Sequence, residues 1–109
     1  NYKVEFSREP PLVVRLYTRD ALALRRERDI HQHTKGIPLA KMLYADESMQ
    51  QIPYAFAVWS YVDGILLRDL IFKGESEAIL QGYFEAGRYL SALSSMRFDE
   101  GGFFSDPWL

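Results

Sequence analysis

The stretch Leu12-Val13-Val14-Arg15-Leu16-Tyr17, followed by Leu22-Ala23-Leu24-Arg25-Arg26-Glu27-Arg28-Asp29-Ile30, decides how this chain is read. The first segment is apolar and β-branched apart from one cation, so it predicts a strand with two side-chain faces. Val13, Arg15 and Tyr17 share one face; Leu12, Val14 and Leu16 share the other. Both faces read as buried, which places Arg15 under cover and in need of a partner. The second segment spaces its apolar residues for a helix, with Ala23, Glu27 and Ile30 on one arc and Leu24 alongside. Arg25, Arg28 and Asp29 take the opposite side. A carboxylate inside a helix's buried stripe also needs a partner, and each charge supplies what the other lacks.

Upstream, Tyr2, Val4 and Phe6 alternate with Lys3 and Glu5, predicting a half-buried strand that Pro10-Pro11 turns into a hairpin with the arginine strand. Thr18 and Asp20 are both candidate N-caps for a helix running to about Lys35, closed by Gly36 and Pro38. Leu39 to Ala45 predicts a short strand and residues 46–53 a polar loop. Tyr54 to Tyr61 predicts an aromatic-rich strand buried on both faces. Asp63-Gly64 marks a turn, and a short helix over Leu67 to Phe72 ends near Gly74. Ser76 then caps a long helix to about Arg97, whose Ile79, Tyr83, Ala86, Leu90 and Leu93 recur at spacings of three and four. Phe98 to Leu109 reads as an ordered loop. The order strand, strand, helix, strand, strand, helix, helix is α+β rather than a βαβ alternation.

Composition narrows the function classes. The 109 residues make one domain or a fragment of a larger one, and a 48% hydrophobic content is enough to bury a core. A net charge of −2 argues against a nucleic-acid binder, which needs a basic excess to neutralise phosphates. Arg25, Arg26 and Arg28 do cluster, but Glu27 and Asp29 interrupt them, and a solvated helix face accounts for the group. The chain has no cysteine, which removes disulfides, thiolate metal sites and a cysteine nucleophile. Its longest purely apolar run, Tyr54 to Trp59, is far below a membrane span, and no signal peptide is visible; a cytoplasmic location is expected. His31 and His33 stand two apart on a helix, pointing to different faces, and do not chelate one metal. Asp99, Glu100 and Asp106 read as solvated loop carboxylates, and Phe103, Phe104 and Trp108 as internal packing of that loop.

A strand-borne cation paired with a carboxylate on the next helix is a device kinases use to hold nucleotide phosphates. The carboxylate fixes the direction of the cation, and the cation meets phosphate oxygens as they gain charge. The plainer alternatives are an ion pair that staples helix to sheet, or an arginine that reaches out to water.

The surrounding words bear on that choice. Val13-Val14-Arg15-Leu16-Tyr17, Arg26-Glu27-Arg28-Asp29 and Gly36-Ile37-Pro38-Leu39-Ala40-Lys41 are followed by Trp59-Ser60-Tyr61-Val62-Asp63-Gly64 and Phe98-Asp99-Glu100-Gly101-Gly102-Phe103-Phe104. In that order, from about Tyr2 to Phe104, they resemble the aminoglycoside phosphotransferase family of kinase-like enzymes, itself similar to choline and homoserine kinases. The resemblance implies a protein-kinase-like small lobe over residues 1–62. Residues 63–109 would then be the hinge exit, a short helix, a long helix and a loop leading toward a catalytic lobe.

Residue by residue, it implies that Arg15 is the phosphate-binding cation of its strand and Glu27 its partner. Val13 would roof the adenine, Trp59 would be the gatekeeper, and the Ser60 and Val62 backbone would be the adenine-reading hinge. The sequence departs from the family pattern at Trp59, which is bulky for a gatekeeper, and at Ser60, where Glu is common. It departs again at Ser94, where His is frequent. The family's first strand and phosphate-covering loop are expected before Asn1, and its His-Gly-Asp loop, downstream Asn and metal-binding Asp beyond Leu109. The expected function is the nucleotide-binding portion of a small-molecule phosphotransferase. Its cofactor would be ATP or GTP, its Mg²⁺ ligands would lie outside these residues, and its acceptor would be a hydroxyl. The alternative is a kinase-like interaction module without activity. The apolar stripe of the long helix further predicts self-association.

Overall fold

The structure, a computed structural model, describes residues 1–99 and Gly101. The expectations for Glu100, Phe103, Phe104, Asp106 and Trp108 lie outside the described residues. The elements are β1 (Tyr2–Val4), β2 (Leu12–Tyr17), α1 (Leu22–His33), β3 (Met42–Asp46), β4 (Ala55–Ser60), α2 (Leu67–Lys73) and α3 (Ser76–Ser94). They fall into two compact units, Asn1–Val62 and Asp63–Gly101. Among the described residues no helix is long and apolar enough to cross a membrane.

The first unit is a four-stranded antiparallel sheet in the order β1-β2-β4-β3, with α1 against β3 and β4. Register sets what each face carries. Val13 lies opposite Trp59, Arg15 opposite Ala57 and Tyr17 opposite Ala55, so these six side chains share one face of the pleat. Near Tyr17 that face is core. Leu24 of α1, Ala55 and Ala57 are fully buried, Tyr17 is nearly so, and Ala21, Ala23, Met42, Ala45 and Trp59 pack around them. Two alanines in β4 leave the room that a helix and a tyrosine ring need.

The opposite face corrects two expectations. Phe56 and Val58 are only half-buried while Ala55 and Ala57 are buried, so β4 is not buried on both faces. β1 is exposed throughout instead of half-buried, because it is an edge strand paired with β2 alone; Phe6 falls outside it. Element ends also move. α1 stops at His33, where the Thr34 hydroxyl and amide both donate to the His31 carbonyl and Gly36 turns the chain at φ +87°. At its start Asp20 takes the cap role: its carboxylate accepts the Leu22 amide at 2.9 Å. β3 begins at Met42, not Leu39, because Leu39 is held in a turn by its bond to the Ile37 carbonyl. The arginines of α1 are paired rather than merely solvated: Arg25 meets Glu47 at 2.8 Å and Arg26 meets Asp20 at 3.2 Å.

The second unit is a helical hairpin. α2 ends in a left-handed cap at Gly74, φ +70°, whose amide reaches back to the Ile71 and Leu70 carbonyls. Ser76 is the first residue of α3 and does not cap it with its side chain, and the helix ends at Ser94 rather than Arg97. α3 meets α2 through a small residue: a Cβ on Gly82 would stand 2.7 Å from the Leu67 Cδ1. The expected stripe is therefore turned partly outward, with Tyr83 at 57% and Leu90 at 67% exposure.

These two glycines separate by mechanism. Gly74→Ala places a Cβ in the left-handed region and should cost about 1 kcal/mol. Gly82→Ala gains about 1 kcal/mol of helix propensity but must push the Leu67 methyl back from a 2.7 Å approach, so it should be close to neutral. Paired thermal and urea denaturation of the two variants checks the ranking.

Candidate nucleotide site

One sheet face ends in core at Tyr17 and opens at Val13, and the opening is where the charges meet. Arg15 projects from β2 toward α1, and its Nη1 lies 2.8 Å from Glu27 Oε1. The other carboxylate oxygen, Oε2, accepts the Tyr17 hydroxyl at 2.5 Å. The Arg15 guanidinium also sits 5.1 Å from the Tyr17 ring centroid. Contrary to the expectation of a covered arginine, its side chain is 44% exposed, while that of Glu27 is 27% exposed. Among the described residues Glu27 is its one ion-pair partner, and a guanidinium has further N–H donors in the same plane.

A cavity of ≈ 540 Å³ opens here, within the span of about 300–1,000 Å³ usual for small-molecule sites. Val13, Arg15, Glu27, Trp59, Ser60 and Val62 all line it. So do residues that sequence reasoning did not select: Ile30 and His31 from α1, Leu39 and Ala40 from the segment before β3, and Asn1 and Tyr61. Ile30 and His31 follow Glu27 by three and four positions, so one helix face carries all three. The His31 ring nitrogen Nε2 bonds the Ala40 carbonyl at 3.0 Å. Its ring meets Trp59 edge-on, centroids 5.7 Å apart. Trp59 is thus braced from α1. The only advance signal for His31 was its helical phase with Glu27.

The end of β4 is tied to the start of β3 in an uneven way. The Ser60 amide donates to the Lys41 carbonyl at 2.8 Å. The Lys41 amide donates to the Ser60 hydroxyl, also at 2.8 Å. The serine side chain therefore has a task that the sequence did not suggest. Val62, 64% exposed, makes no backbone hydrogen bond among the described residues. Beside it, Lys3 lies over the Tyr61 ring at 4.2 Å and pairs with Glu5.

His33 bonds the Asp29 carbonyl, one turn back on its own helix and apart from His31. Among the described residues no group of three or more His, Asp or Glu converges on a possible metal position.

An antiparallel sheet whose flanking helix brings a carboxylate to a strand-borne arginine is the small lobe of a kinase-like fold. The sequence profile of the phosphotransferase enzyme family matches residues 1–108, and the chain belongs to that family. No curated protein and no solved structure matches it.

Burial raises the Tyr17 phenol's pKa first, and the hydrogen bond and charge of Glu27 raise it further, against the pull of Arg15 and of the nearby buried Trp59 indole N–H. Among the described residues the indole makes no bond of hydrogen-bond geometry. A raised folded-state pKa means the folded chain keeps this proton longer than the unfolded chain does. Its contribution is complete below the ordinary tyrosine value of about 10 and is lost as pH climbs through the raised one. Urea midpoints should therefore fall from pH 9 to pH 11 more steeply in the parent than in Tyr17→Phe. Parallel profiles would remove Tyr17 as the source.

Proposed function

We propose that the cavity holds ATP or GTP, and that the chain is the nucleotide-binding portion of an enzyme passing the γ-phosphoryl group to a small-molecule hydroxyl. The observation that carries this reading is the Arg15–Glu27 pair, oriented within the chain yet open to the cavity. Arg15 would hold the phosphates with the donors that Glu27 leaves free, and Glu27 would keep those donors aimed. The apolar lining from Val13, Ile30, Leu39 and Val62 suits a purine, and the Val62 backbone, without a hydrogen bond among the described residues, suits its hydrogen-bonding edge. The nucleotide supplies the transferable phosphoryl group when bound; the residues here hold it and direct its charge.

The contribution of these residues to transfer is electrostatic, and a partly exposed ion pair adds at most about 1 kcal/mol to stability. In the full-length protein, Arg15→Ala should therefore lower kcat/KM about a hundredfold while shifting the unfolding free energy by under about 1 kcal/mol. Parent kinetics in that variant would overturn the assignment. Failure of both ATP and GTP to raise the melting temperature of the parent would favour an interaction module without activity.

The outward Tyr83 and Leu90, with Leu80 and Phe84 at 70% and 66% exposure, also support self-association of the 109-residue chain. Light scattering should return more than a monomer mass, and Leu80→Lys with Leu90→Lys should return a monomer.

A further inference from the structure

Glu27 is gripped from both sides by one strand. Arg15 and Tyr17 stand two residues apart on the same face of β2, and each takes a different oxygen of the same carboxylate. Two bonds do what one cannot. The terminal torsion of a glutamate is broad, so a carboxylate bonded through one oxygen swivels. Bonding the second oxygen fixes its plane, and with it the direction in which the first oxygen faces Arg15.

The quality of that fixing depends on Tyr17 itself. It is 6% exposed and packed with Leu24, Ala55 and Ala57, the best-covered residues described. The Arg15 guanidinium also lies over the same ring, so one buried side chain touches both members of the pair. We propose that Tyr17 is the positioning residue of the phosphate clamp. It holds the Glu27 carboxylate plane against the core, so that the direction of Arg15 is set by the chain's own packing. The assignment rests on the nucleotide reading for its consequence, but not for its geometry.

A purely structural tyrosine would fill the same space and satisfy its own hydroxyl, so the test must separate aim from packing. Phenylalanine keeps the ring and removes only the oxygen. In the full-length protein, ATP and adenosine affinities are measured by calorimetry for the parent, Tyr17→Phe, Arg15→Ala and the double variant. Tyr17→Phe should weaken ATP about tenfold, as expected for a lost bond to a charged group, and leave adenosine within about twofold. In the Arg15→Ala background it should have no further effect on ATP, because the residue through which it acts is gone. Without nucleotide, the Arg15 Nε–H signal in NMR should lose its ordered character in Tyr17→Phe.

Equal losses for ATP and adenosine, additive losses with Arg15→Ala, or an unchanged Arg15 signal would each overturn the proposal. If the parent binds neither ATP nor adenosine, the nucleotide reading falls, and the Arg15 signal alone then decides the role of Tyr17.

Discussion

The Glu27 carboxylate is the constraint on which the rest of the first unit depends. It is the one acidic group carried by the inner side of α1 to the sheet, and two strand residues divide its oxygens between them. Removing it would leave a buried phenol without its acceptor and an arginine without direction. Such a group is costly to bring into a core. It is tolerated here because its surroundings are graded: Tyr17 on the covered side, Arg15 on the side open to the cavity. The gradient along one sheet face, from alanines to a cavity, is what turns a staple between helix and sheet into a site.

The outer side of α1 is held by different means. Arg25 and Arg26 reach Glu47 and Asp20 near the surface, where ion pairs are individually weak and screened by salt. Inner and outer attachments therefore respond to different conditions. Four residues beyond Glu27, His31 extends the inner attachment to the segment before β3 and to Trp59. One helix thus spans both ends of the cavity, the charged end through Glu27 and the aromatic end through His31.

How much of this the sequence disclosed follows from the range of each signal. Strand alternation and helix periodicity act over a few residues, and they sufficed to set Arg15 against Glu27 and to order all seven elements. The exposure of Arg15 was misjudged because alternation tells which face a side chain takes, not whether another layer covers that stretch of the face. The alternation places Tyr17 on the face of Arg15 but does not show its bond to Glu27, although a buried tyrosine normally seeks an acceptor and Glu27 stands on the adjoining helix. The bonds that the Ser60 and His31 side chains make, to Lys41 and to Ala40, join separate elements of the chain. Those contacts are tertiary and leave no local pattern. At α3 the periodicity was real, but a glycine contact with Leu67, rather than the most hydrophobic stripe, determined which side meets α2.

β2 also works as a partition. Its odd-numbered residues, Val13, Arg15 and Tyr17, belong to the cavity and the core, and its even-numbered residues, Leu12, Val14 and Leu16, belong to the half-covered reverse of the sheet. The two sets share a backbone but no surroundings. Change can therefore accumulate on the reverse, to suit a new neighbour or a new solvent, while the chemistry of the other side is inherited intact. A strand six residues long can in this way carry two histories at once.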